Sequence, residues 1–168
     1  MTGSLEREQE HPEHRAVQVL QHIDPSVVAA LQQLCAAYWY CADETSDGVG
    51  ELFCEDGVLT LGSLVLTGRA AIEEFFRERE ASMRATGRTT RHLGCNFQAI
   101  AVRNRCATLR SVAIVHSGTG ELPLPATAPA GIVDFSDECV QDASGRWRFA
   151  NRFARTVFTG AGAPSFAS

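Results

Sequence analysis

The sequence contains no G-x-G-x-x-G, no Walker loop, no G-x-S-x-G elbow and no H-E-x-x-H. Each absence removes a class of chemistry. Without the first two there is no glycine backbone to cradle a dinucleotide or nucleotide phosphate, without the third no exposed hydrolase serine, and without the last no helix-borne zinc pair. The histidines show no metal-ligand spacing beside suitable carboxylates or cysteines. Neither a catalytic metal nor a nucleotide or flavin cofactor is therefore expected. Positive charge is short as well: 15 Lys and Arg against 20 Asp and Glu leave a net charge of −5, the wrong sign for a nucleic-acid surface. The arginines are scattered, and their one loose run, Arg84, Arg88 and Arg91, fits a solvated face better than an anion site. No stretch approaches the ~20 continuous apolar residues of a membrane helix. Residues 1–15 are polar and carry Glu6, Glu8, Glu10 and Glu13, the opposite of a basic, then apolar, secretory leader. A cytoplasmic protein without membrane contact is expected. No two of the six cysteines (Cys35, Cys41, Cys54, Cys95, Cys106, Cys139) form a C-x-x-C pair. A chain of 168 residues can bury a core without staples, so they are expected to be free, buried, small apolar side chains.

What is present describes one domain over residues 24–160, between a mobile or partly helical arm, 1–23, and a short tail, 161–168. Asp24-Pro25-Ser26 is a helix start, with Asp as N-cap and Pro at the first helical position. Val27, Leu31, Leu34, Tyr38 and Cys41 follow as one apolar stripe, which runs to about Ala42. After a break at 43–48, residues 49–53 suggest a short helical turn. Glu55-Asp56-Gly57 reads as a turn, Val58–Gly62 as a strand and Ser63–Leu66 as its hairpin partner. A second helix is predicted from Arg69 to about Met83, with Ile72, Phe75, Phe76 and Met83 inward. Its charged residues, Arg77 and Arg79 among them, are placed on a solvated face. From Thr89 the period becomes strand-like over 89–102, 106–116, 131–141 and 146–159, separated by turn-like 103–105 and 142–145. These strands are expected to pair as antiparallel hairpins. The Gly- and Pro-rich connection 117–130 reads as a cavity lid, a contact surface or a mobile loop. Helices first and long strands after make an α+β pattern. A long twisted sheet curls, and helices packed over its concave side would leave a pocket.

Several short segments, taken in order, carry a family resemblance. They are Cys41-Ala-Asp43; Leu52-Phe-Cys-Glu-Asp-Gly-Val-Leu59; Leu66-Thr-Gly-Arg-Ala-Ala-Ile72; Thr90-Arg-His92-Leu-Gly-Cys-Asn96; and Asp137-Glu138 with Gly145-Arg-Trp147-Arg-Phe149 and Arg152. From Val27 to Gly160 the chain resembles the SnoaL-like branch of the NTF2-like superfamily, and around Asp43 and His92 it is most similar to hexachlorocyclohexane dehydrochlorinase and scytalone dehydratase. The resemblance implies a cone-shaped α+β fold, a curved antiparallel sheet with packed N-terminal helices around one cavity. It also implies an Asp43–His92 dyad with His92 as the proton-abstracting base. Two departures stand out: Asp43 to Asp56 is one residue shorter than in the dehydrochlorinase pattern, and Ala42 occupies the place of the dehydratase tyrosine.

Abstracting a proton from carbon needs a base that titrates near working pH, and histidine has an unperturbed pKa of ~6.5. A carboxylate at its second nitrogen would orient it and stabilise the imidazolium. The plain alternative is a structural histidine and a helix-terminal carboxylate. Asn96, four residues on, would share a strand face with His92 and either bind substrate or satisfy backbone. Asp137 and Phe135 share a face; Asp137 is a second acid/base group or, with a slight preference, the buried partner of Arg152. Tyr38 and Trp39 line an aromatic pocket or pack the core. His116 belongs at the surface. The expected activity is a cofactor-free lyase, dehydratase, cyclase or isomerase acting on a small, largely apolar ring compound. The alternative is a non-catalytic cone that binds a small molecule or serves as an oligomer scaffold, as a dioxygenase β subunit does. Self-association as a dimer or trimer is implied in either case.

Overall fold

Asp24 starts the first helix as its sequence demands, accepting the Ser26 N–H at 2.8 Å and the Ser26 hydroxyl at 2.7 Å. We describe the fold from a computed structural model covering residues 22–161 and 163–164. The first 21 residues of the expected arm, and residues 162 and 165–168 of the expected tail, lie outside the described residues. Helix α1, Pro25–Asp43, buries Leu31, Leu34, Cys35, Tyr38 and Ala42. A 3-10 turn at Gly50–Leu52 leads into β1, Phe53–Leu61, and a hairpin returns through β2, Leu64–Thr67. Helix α2, Arg69–Thr86, buries Ile72 and Phe76 and stops at Gly87, whose left-handed φ of +66° favours glycine. Strands β3 (Arg88–Arg103), β4 (Cys106–Thr119), β5 (Gly131–Gln141) and β6 (Trp147–Thr159) complete the chain.

The six strands form one sheet in the order β2-β1-β6-β5-β4-β3. Neighbours pair antiparallel except β1 and β6, which run parallel. The sheet is thus mixed, where the sequence suggests a wholly antiparallel one. Parallel neighbours cannot be joined by a hairpin, and here α2 and the four strands β2 to β5 intervene before the chain returns beside β1. Glu55-Asp56-Gly57 also differs from its expected role as a turn. It lies inside β1, where the register against β6 shifts between Phe53 and Val58, so a bulge rather than a chain reversal uses the turn-forming residues.

The core fills the space between the helices and one half of the sheet, with Leu31, Val49, Phe53, Leu59, Ile72, Leu109 and Phe149 all at 0% exposure. Toward the other end the inner face carries Ala113, Ala130, Gly131 and Ala154. Small side chains cannot reach the helices, and the gap they leave is a cavity. The cysteines are free, as expected, but only Cys35 and Cys139 are buried, and Cys106 is exposed on its strand. Among the described residues no helix is long and apolar enough to cross a membrane.

Candidate active site

The cavity encloses about 430 Å³, within the range of small-molecule sites. Its walls include Tyr38, Trp39 and Ala42 from α1, Phe75, Phe76 and Arg79 from α2, Thr90 and His92 from β3, and Val115, Val133, Phe135 and Ala154 from the remaining sheet. Connection 117–130 reaches it only through Ala130, whose N–H is held by the Val115 carbonyl at 2.7 Å. Its stretch 125–128 is exposed.

Asp43 and His92 meet at one wall. The His92 Nδ1 lies 2.6 Å from Asp43 Oδ1, and the His92 backbone N–H donates to Oδ2 at 2.7 Å. The Thr90 hydroxyl donates to Oδ1 at 2.9 Å. Both side chains are largely enclosed, at 14% exposure for His92 and 8% for Asp43. Burial alone would push the Asp43 carboxyl up, but the hydrogen bonds and charge of His92, together with Thr90, outweigh it and hold the group below its ordinary value. An ionised carboxylate only accepts, so Nδ1 carries the shared proton and Nε2 is the ring nitrogen left for a ligand.

Trp39 covers one face of this histidine, its ring stacked at 4.9 Å and 11°. That approach depends on Gly94, where a Cβ would stand 2.8 Å from the indole Nε1. Phe135 meets Trp39 edge-on at 5.0 Å. Tyr38 is 2% exposed and packs edge-to-face on Phe53, Phe76 and Phe149 as well as lining the cavity, and Trp39 likewise lines the cavity and packs against the core.

Two of the expected site residues stand elsewhere. Asn96 is exposed in a left-handed conformation, φ +49°. The β3–β4 register slips between Cys95 and Gln98, so the four-residue spacing from His92 no longer gives a shared face. Asp137 does not line the cavity. It is fully buried behind Phe135, accepting from Arg152 Nη1 at 2.7 Å, and Arg152 is fully buried too. Burial raises the Asp137 pKa against the opposing charge of Arg152. The guanidinium carbon sits 4.2 Å from the Tyr38 ring centre, 4.5 Å from Phe135, 4.6 Å from Phe149 and 5.0 Å from Trp39. Its Nε and Nη2 find no hydrogen-bond acceptor among the described residues; aromatic faces take that place.

The charge pattern of the sequence puts Arg79 and Arg88 among solvated groups, yet both line the cavity, partly buried. The helical spacing Ile72, Phe76, Arg79, Met83 already sets Arg79 on the inner side. Arg88 donates from Nε to the Ser117 hydroxyl at 2.9 Å. Among the described residues no three His, Cys, Asp or Glu side chains gather to hold a metal ion.

A curved mixed sheet with two helices packed over one face, around a cavity, is the NTF2-like fold. The sequence matches the family profile of the SnoaL-like domain over residues 26–153, and the chain belongs to that family. A provisionally named scytalone dehydratase from Novosphingobium aromaticivorans is 23% identical, covering 80% of this chain and 87% of its own, with a TM-score of 0.66. ActVI-ORFA from Streptomyces coelicolor is 17% identical over 82% of this chain and 99% of its own, TM-score 0.70. A single-substitution variant of Rv3472, a protein of unknown function from Mycobacterium tuberculosis, is 24% identical over 82% and 80%, TM-score 0.64. No curated protein sequence matches. Likeness to these solved structures shows the fold alone, so activity has to be argued from the site.

The depressed Asp43 pKa sets a pH dependence of stability. Its contribution is fully present above the unfolded value of about 3.9 and is lost as pH falls through the lower folded value. Chemical denaturation should find Asp43→Asn less stable than the parent at neutral pH, with the gap closing in strong acid. A gap that stays constant with pH contradicts this assignment.

Proposed function

We propose that the protein is a cytoplasmic, cofactor-independent acid–base enzyme, a lyase, dehydratase, cyclase or isomerase, acting on a small, largely apolar ring compound. The observation that carries this reading is the 2.6 Å contact of His92 Nδ1 with Asp43 at the wall of an apolar cavity of about 430 Å³. In the proposed reaction His92 Nε2 takes a proton from a ring carbon. The freed electron pair forms a carbon–carbon double bond as a leaving group departs, or moves into a conjugated carbonyl before the proton returns at another carbon. Asp43 keeps the ring oriented and stabilises the imidazolium. Tyr38, Trp39 and Phe135 supply flat apolar contact to the substrate. The provisional naming of one structural neighbour as a scytalone dehydratase supports the same class of reaction.

The protein is further proposed to act as a homo-oligomer joined through the outer sheet face. Leu93, Ile114, Ile132 and Phe158 form one cross-strand row there, with Leu93 52% and Phe158 64% exposed. A monomeric mass in sedimentation removes this part of the proposal.

The catalytic test is to screen small dehydratable or isomerisable ring ketones and phenols against the parent protein and His92→Ala. Loss of the base should lower kcat by ~10²–10⁴-fold with ligand binding retained. Binding of these compounds by both proteins with no turnover by either marks a binding cone instead.

A further inference from the structure

Helix α1 ends in two acids, Asp43 and Glu44, and has no basic residue in its last turn. The C-terminal end of a helix carries partial negative charge and unpaired carbonyls, an unfavourable place for a buried carboxylate. Left alone, Asp43 would turn outward or take up a proton, and either change would release His92. His92 and Thr90 oppose this directly, and a further positive charge comes from α2. Arg79 donates through Nη1 to the Ala42 carbonyl, one of those terminal groups, and through Nη2 to Thr90 Oγ1 at 2.9 Å.

The second of these bonds sets the direction of the next. A threonine hydroxyl has one proton and a guanidinium only donates. With Thr90 Oγ1 accepting from Arg79, its proton is committed to Asp43 Oδ1, 2.9 Å away. Thr90 is 3% exposed, so water does not compete freely for that proton. We propose that Arg79 and Thr90 are positioning residues, a relay through which α2 locks the Asp43 carboxylate onto His92. The proposal rests on the dyad reading above and assigns neither residue a contact with the reacting atoms.

The other charges around the carboxylate are already engaged. Glu44 pairs with Arg91 at 2.8 Å. Glu80 of α2 accepts the Ser46 N–H at 2.8 Å and hydroxyl at 2.5 Å, and also meets Arg84. Arg88 bonds Ser117. Arg79, Thr90 and His92 are therefore the groups that control Asp43.

The test follows the Asp43 carboxyl carbon by NMR in protein labelled at aspartate, with the signal assigned by its loss in Asp43→Asn. Titrations compare the parent with Thr90→Val, Thr90→Ser, Arg79→Gln and Arg79→Lys. Thr90→Val changes only a hydroxyl to a methyl and carries the test alone if an Arg79 variant does not fold. The relay requires the Asp43 midpoint to rise toward the ordinary carboxylate range in Thr90→Val and Arg79→Gln, and Thr90→Ser to keep the low midpoint. Parent-like midpoints in Thr90→Val and Arg79→Gln, or failure of serine to rescue, overturn it. A purely structural role would lower global stability without moving the midpoint. Failure of the dyad reading shows separately, as turnover that survives His92→Ala.

Discussion

One carboxylate joins the two halves of this fold. Asp43 closes α1 and accepts the backbone N–H, the ring Nδ1 and the Thr90 hydroxyl of β3, so the end of the helix and the start of the longest strand are fixed by a single side chain. A backbone donor is the telling member of this set. It ties the Asp43 position to the path of the strand itself, not only to a side chain that can rotate away. With α1 anchored there, Trp39, one turn earlier, is set over the His92 ring, and Tyr38 beside it is turned into the core. The cavity is then bounded on one side by a helix that cannot slide. On the other side are alanines and glycine too short to fill the gap.

The floor of that cavity is built on a second, costlier interaction. Arg152 and Asp137 face each other across β5 and β6 at full burial. A buried ion pair gains little over an apolar core, but removing one member leaves an unpaired charge. Here the guanidinium lies among four aromatic rings, three of which also line the cavity. The cation thus braces the rings from behind, and the face they present to a ligand is held flat and apolar. The division of labour is spatial: the Asp137–Arg152 pair shapes the wall, while the Asp43–His92 pair reaches the cavity through His92.

Much of this is legible in the sequence, and the parts that are not share a cause. Asp24-Pro25, the apolar stripe of α1 and the alternating strands act locally, and local rules place them. Asp43 and His92 were legible only through the family order around them, since their separation in sequence carries no geometric information. The readings that changed depend on register or on distant neighbours. Asn96 left the His92 face because a bulge interrupts β3, and Glu55-Asp56-Gly57 became a bulge because β6 returns beside β1. Arg79 looked like a surface charge until its acceptors, 37 and 11 residues away, were in place. A charge pattern along a helix records which residues are polar, and only the folded partner decides which of them is spent inside.

The ionised Asp43 carboxylate holds the His92 proton on Nδ1 and leaves Nε2 without one. Long-range proton–nitrogen NMR of the histidine rings reads this directly, without a substrate. In the neutral ring of His92, Nδ1 should be protonated and Nε2 unprotonated. A neutral ring with its proton on Nε2 would contradict it, because His92 could then neither bond the carboxylate as described nor accept a proton from a ligand.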